Sequence, residues 1–450
     1  MADAKDIDDS LEFLRYFEKY AQNSGLGVLV QEKLSADKNR LDLACNKMLE
    51  DDFKSLAQIE PLSRLQSLNL DETGLTSSGL KYLMGSKIFS NLQALSLANN
   101  NLDDEGVFYL SKSTHLSGLT ELNLSSNEIG MLGAKVLFPS SVISSLDKLD
   151  LSYNRIEPLG IKAISEAPQK LQLRTLNLRD TCLGDDGMKQ IAKHVCLTGL
   201  EILDLSDNAI TCTGMEALAR SNAFPEIKRL VLNNNPVGDD GIHELAHSES
   251  FSTLEELTLI NTSLTTDSAI SLGESKTLTG LKLLDMNNND VRAEGVEALA
   301  KSVNMRGLEH LDLGENKLGP KGAVALAESE HLSGLKHLRL NNNNIMDQGA
   351  IAIANSKTLI HLIALFLENE NWIHAPGTQA IAESQSLSSL RKLVLTLNAI
   401  GDEGARHLAN SKSLAGLVNL NVAGNKLSPS GDNALIHSTT LVNLKTLEIV

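Results

Sequence analysis

Leucines recur along this chain in a fixed phase. The pattern L-x-x-L-x-L-x-x-N-x-L begins at Leu65. It returns at Leu92, Leu119, Leu146, Leu173, Leu200, Ile227, Leu254, Leu281, Leu308, Leu335, Leu362, Leu390, Leu417 and Leu444. Every step is 27 residues except one of 28, between Leu362 and Leu390. Fourteen complete units (65–443) and a truncated one (444–450) therefore share one register. Counting back from Lys38, residues Leu41, Leu43, Asn46, Met48 and Leu56 occupy the same slots, so 38–64 reads as a degenerate first repeat. Alternating leucines in L-x-L predict a short strand with one face buried. The later Gly-x-x-x-Leu-Ala positions place apolar residues three to four apart, which predicts a helix.

Strand, helix and strand in constant order predict parallel strands on one side and helices on the other. Strands sit about 4.8 Å apart, whereas helices need about 8–10 Å. The fold class expected is therefore α/β, a right-handed solenoid (horseshoe) with a parallel concave sheet and convex helices. The asparagine slot (Asn100, Asn154, Asn208, Asn316, Asn343, Asn398 and others) lies where the chain leaves each strand. Its amide can pair backbone groups that would otherwise be buried alone. Thr73, Thr181 and Thr262 can do so more weakly. Glu370 departs from the pattern, in the unit that carries the extra residue. Asp104, Asp186, Asp240 and Ser430, shortly before the glycine, suit helix N-caps. The glycine itself (Gly106, Gly133, Gly241, Gly349) either permits close helix–strand approach or sets the turn.

These residues resemble the leucine-rich repeat family in its long-unit form, similar to ribonuclease inhibitor. The resemblance covers 38–450. It implies a scaffold that binds other proteins through its concave face. The near-uniform units, with GDEGA and LAxSxxL phrasing, are also similar to leucine-rich repeat effectors of intracellular bacterial pathogens.

Residues 1–37 fall outside the repeat. Asp9-Ser10 followed by LEFLRYFEKYAQ predicts a capped helix with Phe13, Leu14, Phe17 and Ala21 on one face. It reads as an N-terminal helical cap, or as a separate partner-binding helix. At the other end the sequence stops inside a unit without a polar cap.

The repeat replaces the three-domain expectation from length with a single solenoid and a short N-terminal cap. The chain has 450 residues, 42% hydrophobic and 22% charged, which excludes a disordered chain. Aromatics are only 3%, so the core must be aliphatic. Lys and Arg number 40 against 57 Asp and Glu, a net charge of −17 that argues against nucleic acid or an anionic membrane as the main partner. No apolar run predicts membrane insertion. Cys45, Cys182, Cys196 and Cys212 lack disulfide or metal spacing, which predicts a reducing compartment. No standard secretory signal is visible in MADAKDIDDS, so none is expected. The location expected is cytoplasmic, or secreted without a signal peptide into a host cell.

One catalytic motif stands out. His243-Glu244-Leu245-Ala246-His247 matches H-E-x-x-H, a zinc-protease pattern. However, Leu245 and Ala246 fill ordinary repeat slots, and the two histidines fall where other units carry solvent-facing Glu216 and Arg220. The repeat accounts for the match, and no enzyme, metal or cofactor is expected. His310 and His337 occupy equivalent slots of adjacent strands, a surface pair or a pH-sensitive contact.

On the concave columns, Arg339, Phe366, Glu368, Val394 and Leu397 fall in consecutive units, and aromatics with arginine are common interface anchors. Trp372, the only tryptophan, fills the slot of Leu318 and Ile345 and is expected to be buried. A second group comprises Arg229, Val231 and Ile260, with Ile202 and Leu283. Tyr153 stands alone. Asp204, Asp285, Asp312 and Glu315 could form a stripe for a basic partner or a solvated face. The function expected is recognition of a protein partner, with an enzyme regulator or a structural scaffold as alternatives.

Overall fold

The computed structural model describes residues 25–166, 171–193, 197–221 and 223–449. The helix expected over 10–21 and Cys196 lie outside the described residues. The chain divides into two compact units, Met1–Ala209 with Ser221–Glu226, and Ile210–Arg220 with Ile227–Val450.

In the first unit, strands Arg40–Asp42, Ser67–Asn69, Ala94–Ser96, Glu121–Asn123, Lys148–Asp150, Thr175–Asn177 and Ile202–Asp204 pair in chain order, all parallel. In the second, Arg229–Val231, Glu256–Thr258, Leu283–Asp285, His310–Asp312, His337–Arg339, Ala364–Phe366, Lys392–Val394, Asn419–Asn421 and Thr446–Glu448 do the same. A helical segment follows nearly every strand, so each unit is an α/β repeat solenoid. The central residue of each strand but the last, such as Leu284, Leu311, Leu338 and Leu365, is buried, while its neighbours face the other way; Leu447 in the last strand is half-buried. The helix Gly25–Lys33, unforeseen from the sequence, buries Leu26 and Val30, and Leu34 bridges to Leu41.

The asparagine slot forms a ladder. Asn100 donates to the carbonyls of Leu70 (2.8 Å), Leu97 and Ala98, and its Oδ1 accepts from the N–H of Leu75 (2.9 Å) and Thr73. Asn154, Asn208, Asn289 and Asn343 repeat the scheme. The side-chain hydroxyls of Thr73, Thr181 and Thr262 each donate to one backbone carbonyl, at 2.7, 2.5 and 2.7 Å, and so satisfy fewer backbone groups; those of Thr73 and Thr181 also reach the Oδ1 of Asn100 and Asn208. A serine ladder runs beside it. Ser275, Ser329, Ser356 and Ser411 each donate to a carbonyl near the C-terminal end of the preceding repeat's helix, at 2.5–2.6 Å. Each also accepts the N–H three residues on. Helix ends leave such carbonyls orphaned, and the buried hydroxyl satisfies them.

Two expectations are corrected. The glycines are neither strand spacers nor left-handed turns. A Cβ on Gly349 would stand 2.8 Å from both Ala323 Cβ and Ile345 Cβ, and one on Gly241 2.6 Å from Val237 Cγ1 and 3.3 Å from Cys212 Cα. The slot admits the helix of the preceding repeat and the side chain one turn earlier. The caps also differ. Asp103, not Asp104, caps its own helix through the N–H groups of Glu105 and Gly106. Asp104 reaches the following helix instead, accepting from Gly130 (2.7 Å) and Gly133 (2.8 Å). Asp239, Asp347 and Asp402 bridge forward in the same way. Asp186 pairs with Lys189, and Ser428 rather than Ser430 is the cap. Neighbouring helices are close enough for a carboxylate to span them, a reach that local sequence does not reveal.

Candidate functional site

On the exposed side of the second unit, register alignment builds two rows across the strands. One row runs Leu283, His310, His337, Ala364, Lys392, and the other Asp285, Asp312, Arg339, Phe366, Val394. The parallel ladder keeps equivalent residues side by side, so residues 27 apart in sequence become neighbours.

Arg339 is the hub. Its guanidinium lies over the Phe366 ring at 4.3 Å and stands 3.3 Å from Asp312 and 3.9 Å from Glu368. Lys392 approaches the same ring at 5.0 Å. Cations over an aromatic face are attracted by its quadrupole. A depression of about 240 Å³ opens here, lined by Asp285, His310, Asp312, His337, Arg339 and Phe366 among others. His310 and His337 stack with ring centroids 4.2 Å apart and planes 9° from parallel.

The carboxylates are held unusually. Burial pushes the Asp285 carboxyl up to about 6, with the neighbouring Asp312 adding to the shift. Burial likewise raises Asp312, against the hydrogen bonds it accepts from Gly314 and Asn287 and the charge of Arg339. Glu368 is raised by burial too, and its Oε2 has no hydrogen-bond partner. His337 is lowered by burial and by the adjoining His310. Removing carboxylates from water without full compensation is costly. Such costs concentrate where a surface awaits a ligand.

Val394 is half-buried beside Phe366, while Leu397 is 57% exposed. Leu397 has φ +52°, a left-handed conformation that costs a non-glycine residue about 1–2 kcal/mol. Asn, Asp and Gly hold this slot in many units, including Asn288, Asn342 and Gly424. A Cβ on Gly424 would meet Leu397 Cδ2 at 2.6 Å, so the glycine leaves the leucine its place.

Trp372 is not in the core. It is 52% exposed with φ +54°. The extra residue lies between Phe366 and Asn371, not after Trp372. Asn371 takes the ladder slot, fully buried, with its Oδ1 accepting from Asn343 (3.1 Å) and Ile345 (3.3 Å). Ile373 fills the core position and Trp372 is turned out. Its fluorescence should therefore be that of a water-exposed indole and be quenched readily by acrylamide. Strong protection would return it to the core.

The other residues singled out are not part of this cluster. Arg229 pairs with Glu256 at 3.4 Å, and Ile260 is half-buried. Val231 is only 7% exposed, against expectation. It and its register neighbour Thr258 are short and are flanked by the longer Arg229–Glu256 pair. Tyr153, in the first unit, is 45% exposed with φ +56° and lies under Arg179 at 5.5 Å. His243 and His247 are 4.3 Å apart, but His247 Nδ1 sits 2.8 Å from the His243 carbonyl, and Glu244 faces Arg220 at 3.9 Å. Among the described residues, no three His, Cys, Asp or Glu side chains converge as a metal site would require. No helix of the described residues is long and apolar enough to cross a membrane.

The consensus slots, the parallel ladder and the asparagine stack define a repeat-built interaction scaffold. A family model, Leucine Rich repeat, matches nine stretches: 90–111, 115–138, 143–165, 172–192, 197–219, 278–300, 305–327, 331–354 and 386–409. The chain is a leucine-rich repeat protein, and such repeats are typically protein-interaction modules. Two solved structures are similar. An internalin from Listeria monocytogenes shares 18% identity, covering 94% of this chain and 97% of that one, with a TM-score of 0.48. A leucine-rich repeat protein from Leptospira interrogans shares 21% identity, covering 94% and 98%, with a TM-score of 0.52, and supports the fold. No curated protein matches the chain.

Proposed function

We propose that this protein recognises a partner protein through the exposed strand face of its second unit, centred on Arg339 and Phe366. The observation that carries this reading is the Arg339–Phe366 stack at 4.3 Å, set among carboxylates whose ionisation burial disfavours. Arginine and aromatic anchors with desolvated charges are what interface hot spots are made of. Leu397 adds an exposed apolar side chain kept at a conformational cost.

The bacterial-effector setting rests on the phrasing of the units alone, and the ribonuclease-inhibitor-like form on their length. Action on a host protein is the reading we favour for that setting. A regulator of an enzyme is the second reading, because the same face could cover another protein's active site.

Affinity capture from host-cell and bacterial lysates tests the proposal, comparing wild type with Phe366→Ala/Leu397→Asn. Asparagine tolerates the left-handed conformation at 397, so that change should preserve stability. A specific partner should be captured by wild type and lost in the variant. Unchanged capture would remove the cluster from the function. Altered turnover of a captured enzyme would select the regulator reading.

A further inference from the structure

The outer face of the helices in the first unit carries a pattern that the strand-face reading does not use. The sixteenth residue after the first leucine slot is lysine in five of six successive helical segments: Lys54, Lys81, Lys135, Lys162 and Lys189, interrupted only by Phe108. All six are exposed. In the second unit the same slot holds Glu216, His243, Ile270, Glu297, Val324 and Ile351, so the repeat itself does not demand lysine.

Large apolar side chains stand exposed beside these lysines, on four consecutive helices. Tyr82 is 39% exposed, Phe108 44%, Leu132 58% and Leu159 55%. The aromatics and lysines interlock: Lys54 lies 5.8 Å from the Tyr82 ring, Lys81 5.2 Å from Tyr109 and Lys112 5.5 Å from Phe108. One turn before Lys81, Lys135 and Lys162 stand Ser78, Leu132 and Leu159, where an acidic residue would otherwise pair with them. The carboxylates of these four helices stand in first turns: Asp104 accepts from Gly130 and Gly133, Glu105 accepts from the Tyr109 hydroxyl at 2.6 Å, and Glu157 is half-exposed.

We propose that this outer helix face docks on an anionic phospholipid surface. The net charge of −17 predicts repulsion from such a surface. Screening, however, limits that repulsion to about 8 Å at physiological salt, so acids on other faces count little. The cations of this row are all lysine. Arginine's planar fork suits discrete carboxylate or phosphate partners, whereas lysine is a flexible point charge that suits a diffuse field. Lysines beside Phe, Tyr and Leu are the composition of faces that rest in the headgroup region, with the apolar groups entering the acyl boundary. No pocket is needed. An acidic polypeptide is the competing occupant, and it would leave Leu132 and Leu159 without purpose unless it too presented apolar groups at that spacing.

Vesicle co-sedimentation of the full chain tests this. Vesicles of phosphatidylcholine alone are compared with vesicles in which about a third of the lipid is phosphatidylserine. Binding to the anionic vesicles should be about tenfold tighter or more, and should fall as salt is raised. Lys81→Glu/Lys135→Glu/Lys162→Glu should abolish it, with the thermal transition unchanged because all three side chains are exposed. Leu132→Ser/Leu159→Ser should weaken binding several-fold while leaving its salt dependence intact. Equal binding to both vesicles, no binding to either, or undiminished binding by the triple lysine variant would overturn the proposal. So would tight binding to polyglutamate without binding to vesicles, which would assign the face to an acidic protein. The strand-face variants should bind vesicles normally, so the two proposals fail separately.

Discussion

Asn343→Ala should destabilise the second unit by about 4 kcal/mol, read as a lowered urea midpoint. The amide is 1% exposed. It donates to the carbonyls of Leu313 (2.8 Å) and Asn341 (3.1 Å), and it accepts from the N–H of Asn316 (2.9 Å) and Leu318 (3.2 Å). Alanine strands four backbone groups. Each unpaired buried group costs about 1–3 kcal/mol, and partial entry of water lowers the sum. Several links of the ladder join one repeat to the next, so the loss falls on the contact between repeats. In a repeat array that contact is where cooperativity resides. A midpoint within about 1 kcal/mol of wild type would mean that the turns hold themselves without the ladder.

Asp285→Asn should act in the opposite direction and only above acid pH. The folded-state pKa of Asp285, about 6, lies above the ordinary value of 3.8. The folded protein therefore holds a proton that the unfolded chain releases between those values. Stability from this group is fully present below the unfolded value and is lost as pH rises through about 6. At pH 8 the wild type carries the whole cost of a poorly solvated carboxylate beside Asp312. A shift of two units corresponds to about 3 kcal/mol, an upper figure, so asparagine should gain about 2 kcal/mol there. Asparagine also keeps an acceptor for the Asn287 N–H, which Asp285 now receives at 3.0 Å. The gain should vanish near pH 4. Chemical denaturation of both proteins across this range checks it. Equal stability at every pH would mean that water reaches the carboxyl freely. A stabilising substitution at a half-buried position on the outer strand face is also the signature of a residue retained for binding rather than folding.

Much of the fold was legible because a repeat offers many readings of each slot. The strand leucines, the asparagine ladder and the parallel order follow from spacing, since every unit must bury the same face. Trp372 shows where counting fails. A step of 28 says that one residue was added between Leu362 and Leu390 but not where. Asn371, one position late for the ladder, was the available signal, and it placed the insertion ahead of the tryptophan. The capping aspartates were misplaced by a residue because carboxylates such as Asp104 serve the next helix, a partner distant in sequence. Of the candidate site, Arg339, Phe366, Glu368, Val394 and Leu397 could be named from columns alone. Their energetics could not. The rise in Asp285, the stacking of His310 on His337 and the approach of Lys392 to Phe366 depend on burial and side-chain direction. Val231 likewise looked exposed by column and is buried.

The most direct measurement places a photo-reactive amino acid at position 397, or at 351 on the outer helix face of the same unit as a control, and irradiates the protein in host-cell extract. Recognition through the Arg339–Phe366 face predicts one discrete protein adduct from 397 and none from 351. Adducts from 351 alone, the same adducts from both positions, or none from either would contradict it.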